Sequence, residues 1–231
     1  VETKPIVSKA SRYGYESKKL ANLANRLELN ASQFVVNSNS GIGIVAGYHW
    51  FGEWGRDTFI SFRGLLLDRE LYKDAREVLL RWAQKIRNGY LPNQFILADE
   101  DSSDALLWFV VSLYQYFLQT NDTDLVYKLL PRLEQAYIDI TDGKNGLKIT
   151  SQGFYYDLKS TKARTWMDAL VDREPVIDRS GAAVELQALW FNYLCILLKF
   201  KKVTKDKTFE REILASKRNL KLNFKKLFWN D

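Results

Sequence analysis

The sequence predicts an all-α protein. Three observations lead there. Apolar residues recur at three- and four-residue spacing through most of the chain. The stretches between those runs are long, polar and rich in aromatics. Only one short region switches to strand-like patterning.

The elements follow in order. Leu20, Leu23, Ala24, Leu27 and Ala31 share a face, predicting a helix over 16–34. A Gly- and Ser-containing stretch, 37–47, interrupts it. Residues 58–67 read as a second, mostly apolar helix. A third covers 71–86 with Ala75, Val78, Leu79, Trp82 and Ile86 on one face, and Gly89 and Pro92 stop it. A fourth starts after Ser102 or Ser103 and runs through Leu106, Phe109, Val110, Leu113 and Phe117. The run Asn121 to Asp124 caps a fifth over 125–140. Between Gly146 and Tyr156 the pattern predicts a short β-hairpin turning at 151–153. Helix returns over 182–200, and a last amphipathic helix covers 207–228.

The 231 residues, 46% of them hydrophobic, suffice for a packed core. No apolar run approaches the ~18–20 residues a membrane helix needs, and residues 1–19 hold no apolar signal-peptide core. The single Cys195 excludes an internal disulfide and multi-cysteine zinc sites. The single His49 excludes metal centres built on several histidines, and any Ser-His-Asp triad that does not use it. No metal or cofactor is expected, and chemistry falls to carboxylates. The net charge of +6 is local: residues 199–226 hold 11 Lys/Arg against 3 Asp/Glu. A helix face in water explains that segment better than an anionic partner does, which argues against nucleic acid.

Three loops are chemically dense. The first runs Ala46-Gly-Tyr-His-Trp-Phe-Gly-Glu-Trp-Gly-Arg-Asp-Thr. The plain reading makes Asp57 a helix cap paired with Arg56. Five rings in thirteen residues instead suit a binding wall for sugars, whose C–H faces stack on indole. Sugar hydroxyls in turn need carboxylate and guanidinium partners. The second loop ends in Asp104, directly before Ala-Leu-Leu-Trp-Phe, a carboxylate at a core edge near Trp108. The third contains Arg164-Thr-Trp-Met-Asp-Ala, where Trp166 and Met167 give Asp168 an apolar setting suited to a general acid. A helix-capping role fits Asp168 equally well by spacing. Glu185 enters the first turn of an apolar helix, facing either solvent or a polar cleft.

Taken together, these motifs resemble a known family. Trp54-Gly-Arg-Asp-Thr-Phe-Ile with Arg63-Gly-Leu-Leu-Leu is similar to the block that opens the amylo-α-1,6-glucosidase domain of glycogen debranching enzymes. Leu91-Pro-Asn-Gln-Phe, Ser103-Asp-Ala-Leu-Leu-Trp-Phe, Thr165-Trp-Met-Asp-Ala and Val184-Glu-Leu-Gln-Ala-Leu-Trp-Phe-Asn resemble its further motifs, in order, over 46–192. Glucoamylases are similar more distantly. Two departures stand out: Gln94 occupies an Arg position, and Ala183 a position usually held by Pro.

The resemblance implies an (α/α)6 toroid of helical hairpins, of which residues 1–231 form an N-terminal, incomplete part. It implies inverting hydrolysis of an α-1,6-linked glucose stub on a branched α-glucan or limit dextrin, with no membrane, in the cytoplasm. Asp168 would be the general acid. Arg56, Asp57 and Asp104 would bind glucose hydroxyls, with Glu185 near the pocket and Trp54, Trp108 and Trp166 as apolar wall. An inverting hydrolase needs a second carboxylate ~6.5–9.5 Å from the acid, and by analogy that base lies beyond residue 231. The C-terminal Phe-Trp-Asn resembles a mid-domain element of the family. Alternatives are a glucoamylase-like exo-hydrolase and a non-catalytic helical module that binds a glycan or a protein.

Overall fold

The computed structural model describes residues 4–5, 23–38, 40–96, 101–158 and 163–229. Among these residues lie seven α-helices and four small antiparallel strand sets, an all-α fold with short hairpins in its loops. Helix α1 is described over Leu23–Phe34, and residues 16–22 of the predicted helix lie outside the described residues. It runs directly into β2 (Val35–Ser38), which pairs with β1 (Lys4–Pro5) and β3 (Gly41–Ile44). The interruption expected over 37–47 is therefore mostly strand. Long-range bonds hold it: the Ile42 N–H donates to Glu77 at 2.8 Å, and Arg81 donates to the Ile42 carbonyl.

Helix α2 (Gly55–Phe62) begins three residues before its predicted start and passes into a π-helical turn, Arg63–Leu67. Helix α3 (Tyr72–Ala83) buries Ala75, Val78, Leu79 and Trp82, as the spacing predicted. Gly89 does not cap it. Asn88 (φ 48°) and Gly89 (φ 77°) instead turn a tight bridge between Arg87 and Tyr90. Both residues have positive φ, the condition of a type I′ turn, which Asn-Gly satisfies cheaply.

The two-residue strands β4 (Leu91–Pro92) and β5 (Asp101–Ser102) then pair, placing Ser102 opposite Leu91. Helix α4 (Ala105–Thr120) ends at Asn121 in the left-handed conformation, and α5 (Thr123–Thr141) is capped by Asp122, which accepts from the Leu125 N–H at 2.9 Å. The predicted hairpin is β6 (Leu147–Ile149) with β7 (Tyr155–Asp157). A second small hairpin, β8 (Leu170–Val171) with β9 (Glu174–Pro175), precedes the long helices α6 (Val184–Thr204) and α7 (Glu210–Phe228).

Helices α4 and α6 form the centre, with α2 and α3 packed on the first and α5 and α7 on the second. Aromatics fill the seams. Phe59 meets Phe109 edge-on at 5.1 Å and Trp82 at 5.6 Å, while Trp190 stacks on Tyr137 and Tyr193. The basic C-terminal segment is largely solvated, with one exception. Lys201 is buried and ion-paired with Glu134 and Asp206, tying α5 to the end of α6. Among the described residues no helix is long and apolar enough to cross a membrane.

Candidate functional site

The N-termini of α2 and α4 meet, and glycine makes the meeting close. A Cβ on Gly55 would lie 2.9 Å from the Pro92 carbonyl oxygen and 3.1 Å from the Ala105 Cβ. The Gly55 N–H donates to the Asn93 carbonyl at 2.7 Å, so the β4 segment is stitched to the start of α2. This places Arg56, one residue into α2, against Asp104 at the N-cap position of α4.

Arg56 is the hub. Its Nε donates to Asp104 Oδ2 at 2.6 Å, and its Nη1 to Asp168 Oδ2 at 2.9 Å. Arg56 is 8% exposed and Asp104 3%, whereas the Asp168 side chain is 37% exposed. Arg56 Nη2 is buried without a hydrogen-bond partner among the described residues. Burial alone would lower the Arg56 pKa, but Asp104 and then Asp168 raise it above its ordinary value. The pairing of Arg56 with its neighbour Asp57 is not formed, because adjacent residues on a helix point in different directions. Asp57 makes no side-chain cap either, since Trp54 holds the N-cap position. The residue is exposed as a whole, yet partial burial pushes its carboxyl above the ordinary value. Its own backbone hydrogen bond and Arg56 oppose that shift, and Asp168 and Asp104 add to it.

Asp168 reaches the hub from a loop anchored behind the site. Arg164 is buried and donates to Asp157 Oδ1 at 2.9 Å and to the Asn145 carbonyl at 3.2 Å. Its own carbonyl accepts from both the N–H and the hydroxyl of Ser103, each at 2.9 Å. Tyr155, buried on β7 with its hydroxyl pKa raised by that burial, donates to the Ser103 carbonyl at 2.9 Å. The loop carrying the exposed acid is thus fastened to the hairpin β6–β7 and to the start of α4. The apolar setting expected for Asp168 is not formed: Trp166 is 55% exposed and the carboxylate's partner is a guanidinium. Nor is it a helix cap, since it lies in the loop before β8.

The remaining predicted residues take different places. Trp54 is half-buried, bridges Gln94 across the loop and meets Phe51 edge-on at 6.0 Å. Gln94 therefore keeps a place beside the site. Trp108 lies one turn into α4, partly buried against the core. The exposed rings of His49, Trp50 and Phe51 continue outward from Trp54, with Trp50 80% exposed. Arg81 braces the loop that carries them. It holds Glu53 through both guanidinium ends at 3.0 and 3.1 Å and lies over the Phe95 ring. Burial raises the Glu53 pKa, and Arg81 counters it. Glu185, in the first turn of α6, pairs with Arg179, so its carboxylate is not part of the Arg56 cluster. Ala183 has φ −60°, the value a proline imposes, so a proline there would keep the same φ at the start of α6.

Sequence reasoning missed Ser102, Asp157, Arg164 and Arg179 as parts of this framework. Arg164 was visible inside the Arg-Thr-Trp-Met-Asp motif, but nothing in spacing reveals a buried partner. Among the described residues no group of His, Cys, Asp and Glu could hold a metal ion.

The site is thus a guanidinium held between two carboxylates, with glycine-tight backbone and rings beside it. Comparison with known proteins identifies the family. Residues 29–231 match the model of the family described as amylo-alpha-1,6-glucosidase. The chain belongs to that family. It is also similar to the glycogen debranching enzyme of Saccharomyces cerevisiae, 26% identical over 149 residues, which cover 59% of this chain. The match spans only 10% of that relative's length. The amylo-alpha-1,6-glucosidase match takes in every residue of the Arg56 cluster, from the first loop to the loop of Asp168.

Proposed function

We propose that the chain forms part of an inverting α-1,6-glucosidase of the debranching type, acting on the single glucose stubs of branched α-glucans. The observation that carries the reading is the buried Arg56, shared by Asp104 and Asp168 with one nitrogen, Nη2, unpaired among the described residues. Family membership and the likeness to a glycogen debranching enzyme support it.

In this mechanism Arg56 Nη2 and Asp57 bind hydroxyls of the terminal glucose. Trp54, Trp108 and Trp166 provide apolar wall to the sugar's C–H faces. Asp104 orients Arg56, because its burial and its two partners leave it little access to ligand. Glu185 shapes the pocket rim through Arg179. Asp168, the exposed carboxyl of the cluster, protonates the glycosidic oxygen as the C1–O bond breaks. Water attacks C1 from the opposite face and passes its proton to a second carboxylate, giving the inverted sugar. By analogy with the family that base belongs to sequence beyond residue 231, and the seven helices are part of an (α/α)6 toroid. No cofactor is required, and a cytoplasmic setting fits a glucan substrate.

Asp168→Asn in the complete protein tests the assignment. Glucose release from a branched limit dextrin should vanish while dextrin binding persists. Undiminished release would remove Asp168 from the role of acid.

A further inference from the structure

We propose that Ser102 is a positioning residue for the sugar-binding guanidinium: through Asp104 it fixes how many Arg56 donors remain for ligand. The inference rests on the glucosidase reading of the pocket. Ser102 closes β5 and is buried. Its Oγ is used to capacity, donating to Asp104 Oδ1 at 2.5 Å and accepting from the N–H groups of Asp104 at 3.3 Å and Ala105 at 3.1 Å.

That arrangement governs the ion pair. A carboxylate free to turn takes a guanidinium in a two-pronged fork, with both oxygens on two nitrogens. Here Ser102 holds Oδ1, so Asp104 meets Arg56 through Oδ2 alone and engages only Nε. Nη1 is then free to reach Asp168, and Nη2 is left without a partner among the described residues, in a buried position. Without the Ser102 hydroxyl, Asp104 would turn and claim a second nitrogen, taking a donor from either Asp168 or the sugar.

The backbone places Ser102 at the point where this control is possible. Its strand partner is Leu91, and two residues beyond Leu91 the Asn93 carbonyl accepts from the Gly55 N–H. One short strand pair therefore connects the helix start that carries Arg56 with the helix start that carries Asp104. Sequence-level reading of Ser102 as the start of a helix accounts for its two backbone acceptances, but not for its bond to the Asp104 carboxylate.

The test uses the complete protein labelled with 15N-arginine. The Arg56 Nε–H resonance is assigned by its loss in Arg56→Lys. In Ser102→Ala that resonance should move, and calorimetric affinity for isomaltose should fall about tenfold, the worth of one charge-assisted hydrogen bond. Ser102→Thr, which keeps the hydroxyl, should restore both. Ser102→Cys, of similar size but a weak donor, should shift the resonance in the same direction as alanine and serves where alanine impairs folding. An Arg56 resonance unmoved in folded Ser102→Ala or Ser102→Cys overturns the positioning role. A complete parent protein that shows the resonance but binds no isomaltose overturns the pocket reading instead.

Discussion

Arg56 Nε and Asp104 Oδ2 lie 2.6 Å apart between two helix N-termini, a buried ion pair from residues 48 positions apart in the chain. A pair of this kind contributes less by forming than it costs by breaking, because the survivor keeps its charge in a desolvated place. Asp104→Ala should therefore lower stability by about 3–5 kcal/mol in urea unfolding. Asp104→Asn keeps the shape and an acceptor and should cost less. Equal losses in the two variants would show that the charge, not the shape or the acceptor, governs the site.

The loop of Asp168 depends on Arg164. Both Arg164 and Asp157 are almost fully buried, and the guanidinium also reaches the Asn145 carbonyl. Arg164→Ala removes the guanidinium from a buried carboxylate, and about 3–5 kcal/mol should be lost. The more specific expectation concerns the loop itself. Limited proteolysis should cut within 163–183 faster in Arg164→Ala than in a core variant of equal stability, such as one at Trp190. Equal cleavage rates would mean that the loop is held by something other than this pair.

Much of the fold was legible because its helices bury single stripes. Ala75, Val78, Leu79 and Trp82 declare α3, and Leu106, Phe109, Val110 and Leu113 declare α4. The hairpins were not legible where long-range partners make them. The strands β2 and β3 owe their place to Glu77 and Arg81 on α3, which no local pattern encodes. Asn88-Gly89 did carry a local signal, that of a type I′ turn, which competed with its reading as a helix stop. The same division holds in the site. Arg56, Asp104 and Asp168 stood out as charged residues in motifs, but their sharing of one guanidinium across 112 residues is a product of folding. The adjacency of Arg56 and Asp57 suggested the wrong pair.

Asp122 predicts a pH effect. Burial works against its ionised form, but the Leu125 N–H, Arg76 and Tyr116 hold its carboxyl below the ordinary value. A depressed carboxyl pKa adds stability above the unfolded value of 3.8, and the gain is lost as pH falls through the folded value. Stability should thus decline below about pH 4. Asp122→Ala, which also removes the cap of α5, should cost about 1 kcal/mol at pH 7. The gap between variant and parent should close toward pH 2 in denaturant titrations. A gap that is constant with pH would assign the residue a purely conformational role.

Gly55 offers the sharpest separation of stability from activity. A Cβ there meets the Pro92 carbonyl oxygen at 2.9 Å and the Ala105 Cβ at 3.1 Å, neither of which is the end of a flexible side chain. Alanine is otherwise favoured in a helix, so its intrinsic contribution at this position is stabilising by about 1 kcal/mol. Overpacking against backbone costs about 1–3 kcal/mol, and the net loss should be small. The displacement, however, falls directly between the starts of α2 and α4, which carry Arg56 and Asp104. A shift of a few tenths of an ångström there stretches a 2.6 Å ion pair and turns the guanidinium away from Asp168. Gly55→Ala should therefore fold with nearly the parent's melting temperature yet bind isomaltose at least tenfold more weakly in calorimetry. Parent-like affinity in that variant would mean that the close approach of the two helices serves packing and not the geometry of Arg56.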